Sequence, residues 1–147
     1  MFENPAVQLY AVVSTLVALH VMLLAGWTAA VRTRRKLYVN PEDAAFFKGT
    51  LGEADHPHVL RVRRAHLNAL ENAVPFFAVG LAYALTGPTR VGAYAYFFTF
   101  LAARVIHSLV YLRGKQPYRT LMFGIGALAT TGMAVHVVLA AVRAAIP

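Results

Sequence analysis

The stretch RVRRAHLNALENAVPFFAVGLAYALTGP, residues 61–88, joins a charged segment to a long apolar run. Glycine and proline at its end stop a helix, so the pattern predicts a helix over about 57–86. Arg64, Asn68 and Glu71 recur at i, i+4 and i+7, which places them on one face of that helix. One helix therefore combines a polar stripe with an apolar body.

The composition of the whole chain is that of a membrane protein. The 147 residues are 59% hydrophobic and 14% charged, with a mean hydropathy of +0.55, whereas soluble domains average roughly 45–50% apolar and about 25% charged residues. A bilayer-spanning helix needs about 20 residues, so the chain has room for about four. We predict spans at about 6–31, 57–86, 91–112 and 118–146. The expected fold is an all-α, four-transmembrane-helix bundle that forms a single domain over 1–147.

The distribution of basic residues predicts the orientation. Four spans put both termini on one side, and they put segment 32–64 and the turn at 113–119 on the other side. Arg90 and Arg143 lie on the first side and most other Lys and Arg residues on the second, which the positive-inside rule assigns to the cytosol. The net charge of +8 therefore reflects topology. Nucleic acid is not an expected partner, because the aromatic residues lie inside apolar runs.

Polar residues recur near the ends and inside the other predicted spans. Arg104, His107 and Tyr111 share a face of the third helix, Arg32 ends the first, and Arg119 with Thr120 begins the fourth. Charges at bilayer depth cost at least about 2.5–3.5 kcal/mol each, so we expect these stripes to face one another and to form a site. The alternative is snorkelling or helix–helix ion pairing, which we favour for a second group of basic residues: Arg34, Arg35, Lys36, Arg61 and Arg113.

Three other residues in the spans are expected to serve packing. His20 stands alone among apolar neighbours and should make a packing hydrogen bond, while Gly124 and Gly126 should allow close helix approach. The chain has no cysteine, which excludes disulfides, thiolate metal sites and cysteine nucleophiles. The histidines lack metal-ligand spacing, so no metal site is predicted.

The polar residue types indicate the ligand. Arginine favours carboxylate or phosphate, and Glu71 could bind an ammonium group, so a zwitterionic peptide with excess negative charge fits. From these residues alone a small channel or transporter with a polar water path ranks first. A non-catalytic membrane scaffold is a further alternative.

Several motifs together resemble the MAPEG family, the membrane-associated proteins in eicosanoid and glutathione metabolism. They are the stretch at 61–88, NPEDA at 40–44, ARVIHSLVYL at 103–112, and Arg119-Thr120. The resemblance covers nearly the whole chain from Arg32 onward. It is stronger to the glutathione S-transferases of the family than to its prostaglandin E synthases, because Leu67 stands where the synthases have arginine.

The resemblance implies a homotrimer with a glutathione site in each interface. It also implies a membrane-bound detoxification enzyme, a glutathione S-transferase that activates the glutathione thiolate against lipophilic electrophiles. Glutathione contacts would fall on Arg32, Arg63, Arg64, His66, Asn68, Glu71, His107 and Tyr111, with Arg104 and Thr120 nearby. Arg119 matches the family arginine held to stabilise the thiolate, and Asp43 matches an aspartate proposed to assist the synthase reaction.

Two departures from the family pattern refine this expectation. Ala44 replaces a cysteine through which some transferases sense modification, so thiol activation should be absent. Phe123 replaces a tyrosine of the synthases, which removes one hydroxyl contact and weakens the isomerase alternative. Glutathione-dependent isomerisation and peroxide reduction stay open as alternative outcomes on the same fold. The short termini without retention signals favour a bacterial inner membrane, with the endoplasmic reticulum as the alternative.

Overall fold

The computed structural model describes residues 3–146 and consists mainly of four long helices. In chain order the elements are α1 (Pro5–Arg35), β1 (Leu37–Tyr38), α2 (Pro41–Phe46), β2 (Thr50–Leu51), α3 (Pro57–Leu85), α4 (Arg90–Leu112) and α5 (Tyr118–Ala145). The long helices coincide with the four predicted segments to within a few residues. The all-α prediction missed the parallel pairing of β1 with β2. Two residues per strand are too few for a period-two hydrophobic pattern to be visible in the sequence.

Local sequence signals explain where the helices begin and end. The side chain of Asn4 caps α1 by accepting a hydrogen bond from the backbone N–H of Ala6 at 2.9 Å. Thr89 caps α4 by accepting from the N–H of Gly92 at 3.2 Å. Gly87 follows α3 with a φ of +67°, a conformation that glycine adopts without steric cost.

The core of the bundle lies where α1, α3, α4 and α5 meet. Its largest buried side chains are aromatic, and the rings of Phe76 and Phe100 stack with their centroids 4.1 Å apart. Tyr10 on α1 donates a hydrogen bond to the backbone oxygen of Phe77 on α3 at 2.8 Å. This aromatic core sets the rotation of each helix, and with it the direction in which polar residues nearer the helix ends point.

Three of the long helices, α1, α4 and α5, are long and apolar enough to cross a bilayer. Large apolar side chains remain exposed along them, as on α1 at Met22, Leu23 and Trp27, which is the surface that lipid would cover. The prediction of an integral, multi-pass membrane protein is confirmed at this level. Helix α3 is less apolar because polar side chains occupy its first half, and its crossing of the membrane stays a prediction.

Two packing predictions have different outcomes. His20 Nε2 lies 3.0 Å from Ser108 Oγ on α4, which confirms a hydrogen-bonded packing histidine. The explanation offered for Gly126 was wrong, because a β-carbon there would overlap the Nη2 atom of the Arg104 side chain. Nothing lies within 4 Å of a β-carbon at Gly124. Gly126 therefore makes room for a guanidinium group, and close backbone approach is not its role.

Replacing Gly126 with alanine is expected to destabilise the protein by about 1–3 kcal/mol, the usual result of overpacking. Arg104 is only 2% exposed, so its guanidinium cannot move aside without displacing neighbouring side chains. Thermal unfolding in detergent measures the effect. Gly26→Ala is the matched control, since a β-carbon at that position meets nothing within 4 Å. Equal stability of the two variants would contradict this packing role.

Candidate functional site

Two polar pockets lie on different sides of the first half of α3. The first, which we call the α1-side pocket, has a volume of about 530 Å³ and includes Arg32, Asn40, Asp43, Asp55, Arg63 and His66. The second, the α5-side pocket, has a volume of about 380 Å³ and includes Pro57, Leu60, Arg61, Arg64, Tyr111, Gly114 and Arg119. Residues two apart in a helix are rotated by about 200°. Arg61 and Arg63 therefore point into different pockets.

The α1-side pocket is organised by the buried carboxylate of Asp55. Arg32 at the end of α1 binds it with two hydrogen bonds, Nε to Oδ1 at 3.1 Å and Nη2 to Oδ2 at 3.0 Å. Arg63 Nη1 lies 3.9 Å from the same Oδ2 atom. The side chain of Asp55 is 5% exposed, against 31% for Arg32 and 56% for Arg63. A two-point guanidinium–carboxylate pair of this kind holds both partners in one orientation.

Asp43 lies at the edge of the same pocket, on the short helix α2. Its Oδ2 atom accepts a hydrogen bond from Asn40 Nδ2 at 3.1 Å. Proline at the first position of α2 begins the helix, which brings this carboxylate opposite the end of α1. Asp43 and Arg32 therefore line one cavity, although the sequence separates them by eleven positions.

The α5-side pocket is strongly cationic. Arg61 and Arg64 on α3 meet Arg119 at the start of α5, and none of the described residues that line the pocket is acidic. Gly114 makes this approach possible, because a β-carbon there would lie 2.5 Å from Arg61 Nη1. The backbone of Gly114 also has a φ of +68°, which glycine adopts readily. The arrangement suits an anion.

The guanidinium group of Arg119 lies over an aromatic ring. Its Cζ atom lies 4.8 Å from the centroid of the Tyr111 ring, a distance at which the ring attracts a cation. Arg119 is also the second residue of α5, where the partial positive charge of the helix N-terminus favours negative ligands. The positive charge of Arg119 and the dipole of α5 therefore both favour a negative ligand at this position.

His56 lies beside the pockets at the N-cap of α3. Desolvation of the ring, with smaller contributions from the cationic Arg35 and from His58, lowers the pKa of the His56 imidazole below its usual 6.5. This lowering favours the neutral form of the ring. A neutral ring is also what the geometry requires, because Nδ1 accepts a hydrogen bond from the N–H of His58 at 3.1 Å.

The prediction that the polar stripes of α3 and α4 face each other is met only in part within one chain. They meet at Arg64 and Tyr111, but Arg104 turns toward α5, where its Nη2 donates to the backbone oxygen of Phe123 at 2.9 Å. Its Cζ lies 5.3 Å from the ring of Phe123. Glu71 lies on the same helical face as Arg64 and is exposed within one chain. The space above Gly126 accepts the Arg104 side chain, a feature that helix periodicity does not reveal.

The remaining predicted site residues lie around this meeting point. His107 is buried, and its ring centroid is 5.7 Å from that of Tyr111. Asn68 continues the stripe of Arg64, and its Oδ1 atom is buried with no hydrogen-bond partner among the described residues. Thr120 is exposed beside Arg119. An unsatisfied buried acceptor is unusual in a complete structure, and a ligand or a partner chain could satisfy it.

Sequence reasoning missed three residues that organise the pockets. Asp55 was not singled out, although it lies only two residues before the charged helix α3. Arg61 was assigned to the interface with lipid headgroups, yet it lines the α5-side pocket. Gln116 lies one helical turn before Thr120, and that i, i+4 spacing was the signal that could have identified it.

Comparison with known proteins identifies the family. The model of the MAPEG family matches residues 10–139. The chain is 39% identical over 139 residues to microsomal glutathione S-transferase 1 of Homo sapiens, covering 91% of this chain and 90% of that protein. It is 40% identical to the protein of the same name from Sus scrofa, with the same coverage. Prostaglandin E synthase of Macaca fascicularis is 33% identical over 142 residues, with 96% and 93% covered. The chain therefore belongs to the MAPEG family.

Proposed function

We propose that this protein is a membrane-bound glutathione S-transferase, which activates the thiol of glutathione for attack on lipophilic electrophiles. The observation that carries the proposal is the α5-side pocket, where three arginines converge at a helix N-terminus and no described lining residue is acidic. The similarity to two proteins named microsomal glutathione S-transferase 1 supports the same reaction class.

Arg119 is the residue proposed to act on the reacting atom. A free cysteine thiol has a pKa near 8.5, so only a few per cent is thiolate at pH 7. The charge of Arg119 and the dipole of α5 favour the thiolate, and each unit by which the pKa falls corresponds to about 1.4 kcal/mol. The sulfur then forms a bond to an electrophilic carbon, whose leaving group departs with the electron pair of the broken bond. Thr120 could donate one further hydrogen bond.

The carboxylates and the ammonium group of glutathione need further partners. Each pocket holds only part of the predicted set, with Arg32, Asp43, Arg63 and His66 on the α1 side and Arg64, Tyr111 and Arg119 on the α5 side. We propose that a homotrimer joins the α1-side pocket of one protomer to the α5-side pocket of the next. Glu71, exposed on α3 within one chain, would then face a neighbouring protomer and the ammonium group. This assembly makes α3 the fourth membrane-spanning helix of a single domain.

An isomerase resembling prostaglandin E synthase is the second candidate. The 33% identity to that enzyme and the presence of Asp43 in the α1-side pocket favour it. Phe123 has no hydroxyl group to offer, and Leu67 lacks the charge of an arginine. Both differences favour the transferase. Peroxide reduction is a third outcome for the same activated thiolate. The bacterial inner membrane stays a prediction, with the endoplasmic reticulum as the alternative.

Titration of the detergent-purified protein with glutathione, followed by turnover of a chromogenic electrophile, tests the proposal. We expect saturable binding by calorimetry and conjugation that depends on the protein. Binding without turnover of any electrophile would contradict the transferase and favour the scaffold. Flux of ions or solutes through liposomes without a need for glutathione would instead establish the channel or transporter. Product analysis with an endoperoxide and with a lipid hydroperoxide separates isomerase and peroxidase from transferase.

A further inference from the structure

Gln116 is the last residue before the proline that precedes α5, and its side chain lies between Arg119 and Thr120. In the amide orientation that satisfies both neighbours, Gln116 Oε1 accepts hydrogen bonds from Arg119 Nη2 at 2.8 Å and from Arg119 Nε at 3.2 Å. Its Nε2 atom then donates to Thr120 Oγ1 at 3.2 Å. One neutral side chain thus contacts both of the α5 residues that are proposed to stabilise the thiolate.

These contacts restrict how Arg119 can point. A guanidinium group has five N–H donors in a planar fork. The Cζ atom of Arg119 lies over the Tyr111 ring, 4.8 Å from its centroid, and the Nε and Nη2 atoms donate to Gln116. Three N–H donors remain, on Nη1 and on the outer position of Nη2. The ring contact limits where the guanidinium group can lie, and the two hydrogen bonds determine which of its edges faces Gln116.

We propose that Gln116 is a positioning residue, which holds the side edge of the Arg119 guanidinium so that its free N–H donors face the glutathione sulfur. This inference rests on the proposed transferase function. Gln116 does not touch the reacting atoms, and it acts only through Arg119 and Thr120.

The neutrality of the amide is part of the proposal. A carboxylate in the same place would accept the same hydrogen bonds, but it would also bring a negative charge within about 3 Å of the cation. Such a pair would weaken the field that Arg119 exerts on a thiolate. Glutamine therefore supplies the acceptor geometry of glutamate without its charge, which makes Gln116→Glu a test of electrostatics at nearly constant shape.

The test compares Gln116→Glu and Gln116→Met with wild type, in the full-length protein in detergent with glutathione bound. Thiolate absorbance as a function of pH gives the pKa of the bound thiol, and calorimetry gives the Kd for glutathione. We expect Gln116→Glu to raise that pKa by about one, which lowers conjugation at pH 7 by up to about tenfold. The difference in conjugation rate between Gln116→Glu and wild type should become smaller as the pH rises. Gln116→Met, which removes the acceptor, should lower kcat by roughly 3- to 10-fold with little change in Kd.

Gln8→Glu is the matched control, because it makes the same chemical change on exposed surface near the start of α1. The pKa of the bound thiol and the conjugation rate of Gln8→Glu should equal those of wild type. Unchanged thiol titration in both Gln116 variants would overturn the positioning role, even if kcat fell through some structural effect, and would leave the transferase proposal intact. Absence of any glutathione-dependent thiolate absorbance or turnover in wild type would overturn both.

Discussion

Replacing Arg119 with alanine is expected to lower the conjugation rate at pH 7 about 100-fold, the usual size of the effect when one preorganised charge-stabilising group is removed. Much of the glutathione binding should remain, because the other arginines of the two pockets are untouched. The thiolate absorbance at neutral pH should disappear, since the pKa of the bound thiol returns toward 8.5. Stopped-flow absorbance and calorimetry measure the two quantities separately.

The pH dependence of the conjugation rate should differ between wild type and Arg119→Ala. In wild type the rate should rise through a thiol pKa below 8.5, whereas in Arg119→Ala the rise should move to higher pH. The conjugation rate of Arg119→Ala should therefore approach that of wild type as the pH rises. Arg113→Ala is the matched control, because Arg113 is an exposed arginine between α4 and α5 that lines neither pocket. Conjugation at the wild-type rate by Arg119→Ala would contradict the assigned role.

The second large effect is expected from Asp55→Ala. This change leaves Arg32 and Arg63 without the carboxylate that pairs them, and removal of one partner of a fully buried pair typically costs about 3–5 kcal/mol. Because Arg32 is 31% exposed, water offsets part of the loss. We expect a destabilisation of about 2 kcal/mol, which lowers the Tm by roughly 4–8 °C in a chain of this size.

Thermal unfolding in detergent, followed by circular dichroism, measures this effect. Glu53→Ala removes the same charge from an exposed position two residues earlier, so its Tm should stay within about 2 °C of wild type. A Tm for Asp55→Ala equal to that of Glu53→Ala would show that the ion pair does not hold the segment between α1 and α3 against the bundle.

The helices could be predicted because their signals are local. The glycine and proline at positions 87 and 88, and the apolar runs of span length, act within a few residues of chain. The short strands between α1 and α3 carried no such signal. Strands β1 and β2 pair residues 13 positions apart, with Leu37 opposite Thr50, and that pairing depends on how the connection folds back on itself.

The site could be predicted in part. Helical spacing correctly placed Arg64 and Tyr111 near one another, because both lie at the same end of their helices and line one pocket. It could not show that Arg104 turns away toward α5 or that Arg61 joins the pocket. Those outcomes depend on single glycines on other elements, Gly126 and Gly114, whose missing side chains leave the necessary room.

The sequence by itself determined the membrane class, the family, the four long helices and the residue types available for binding an anionic peptide, because composition, periodicity and motif order are properties of the chain. Only the tertiary structure decided that these residues divide between two pockets and that Asp55 and Gln116 hold the arginines in place. The physical reason is that helix rotation and hydrogen bonding between elements are set by core packing, which joins residues far apart in the chain.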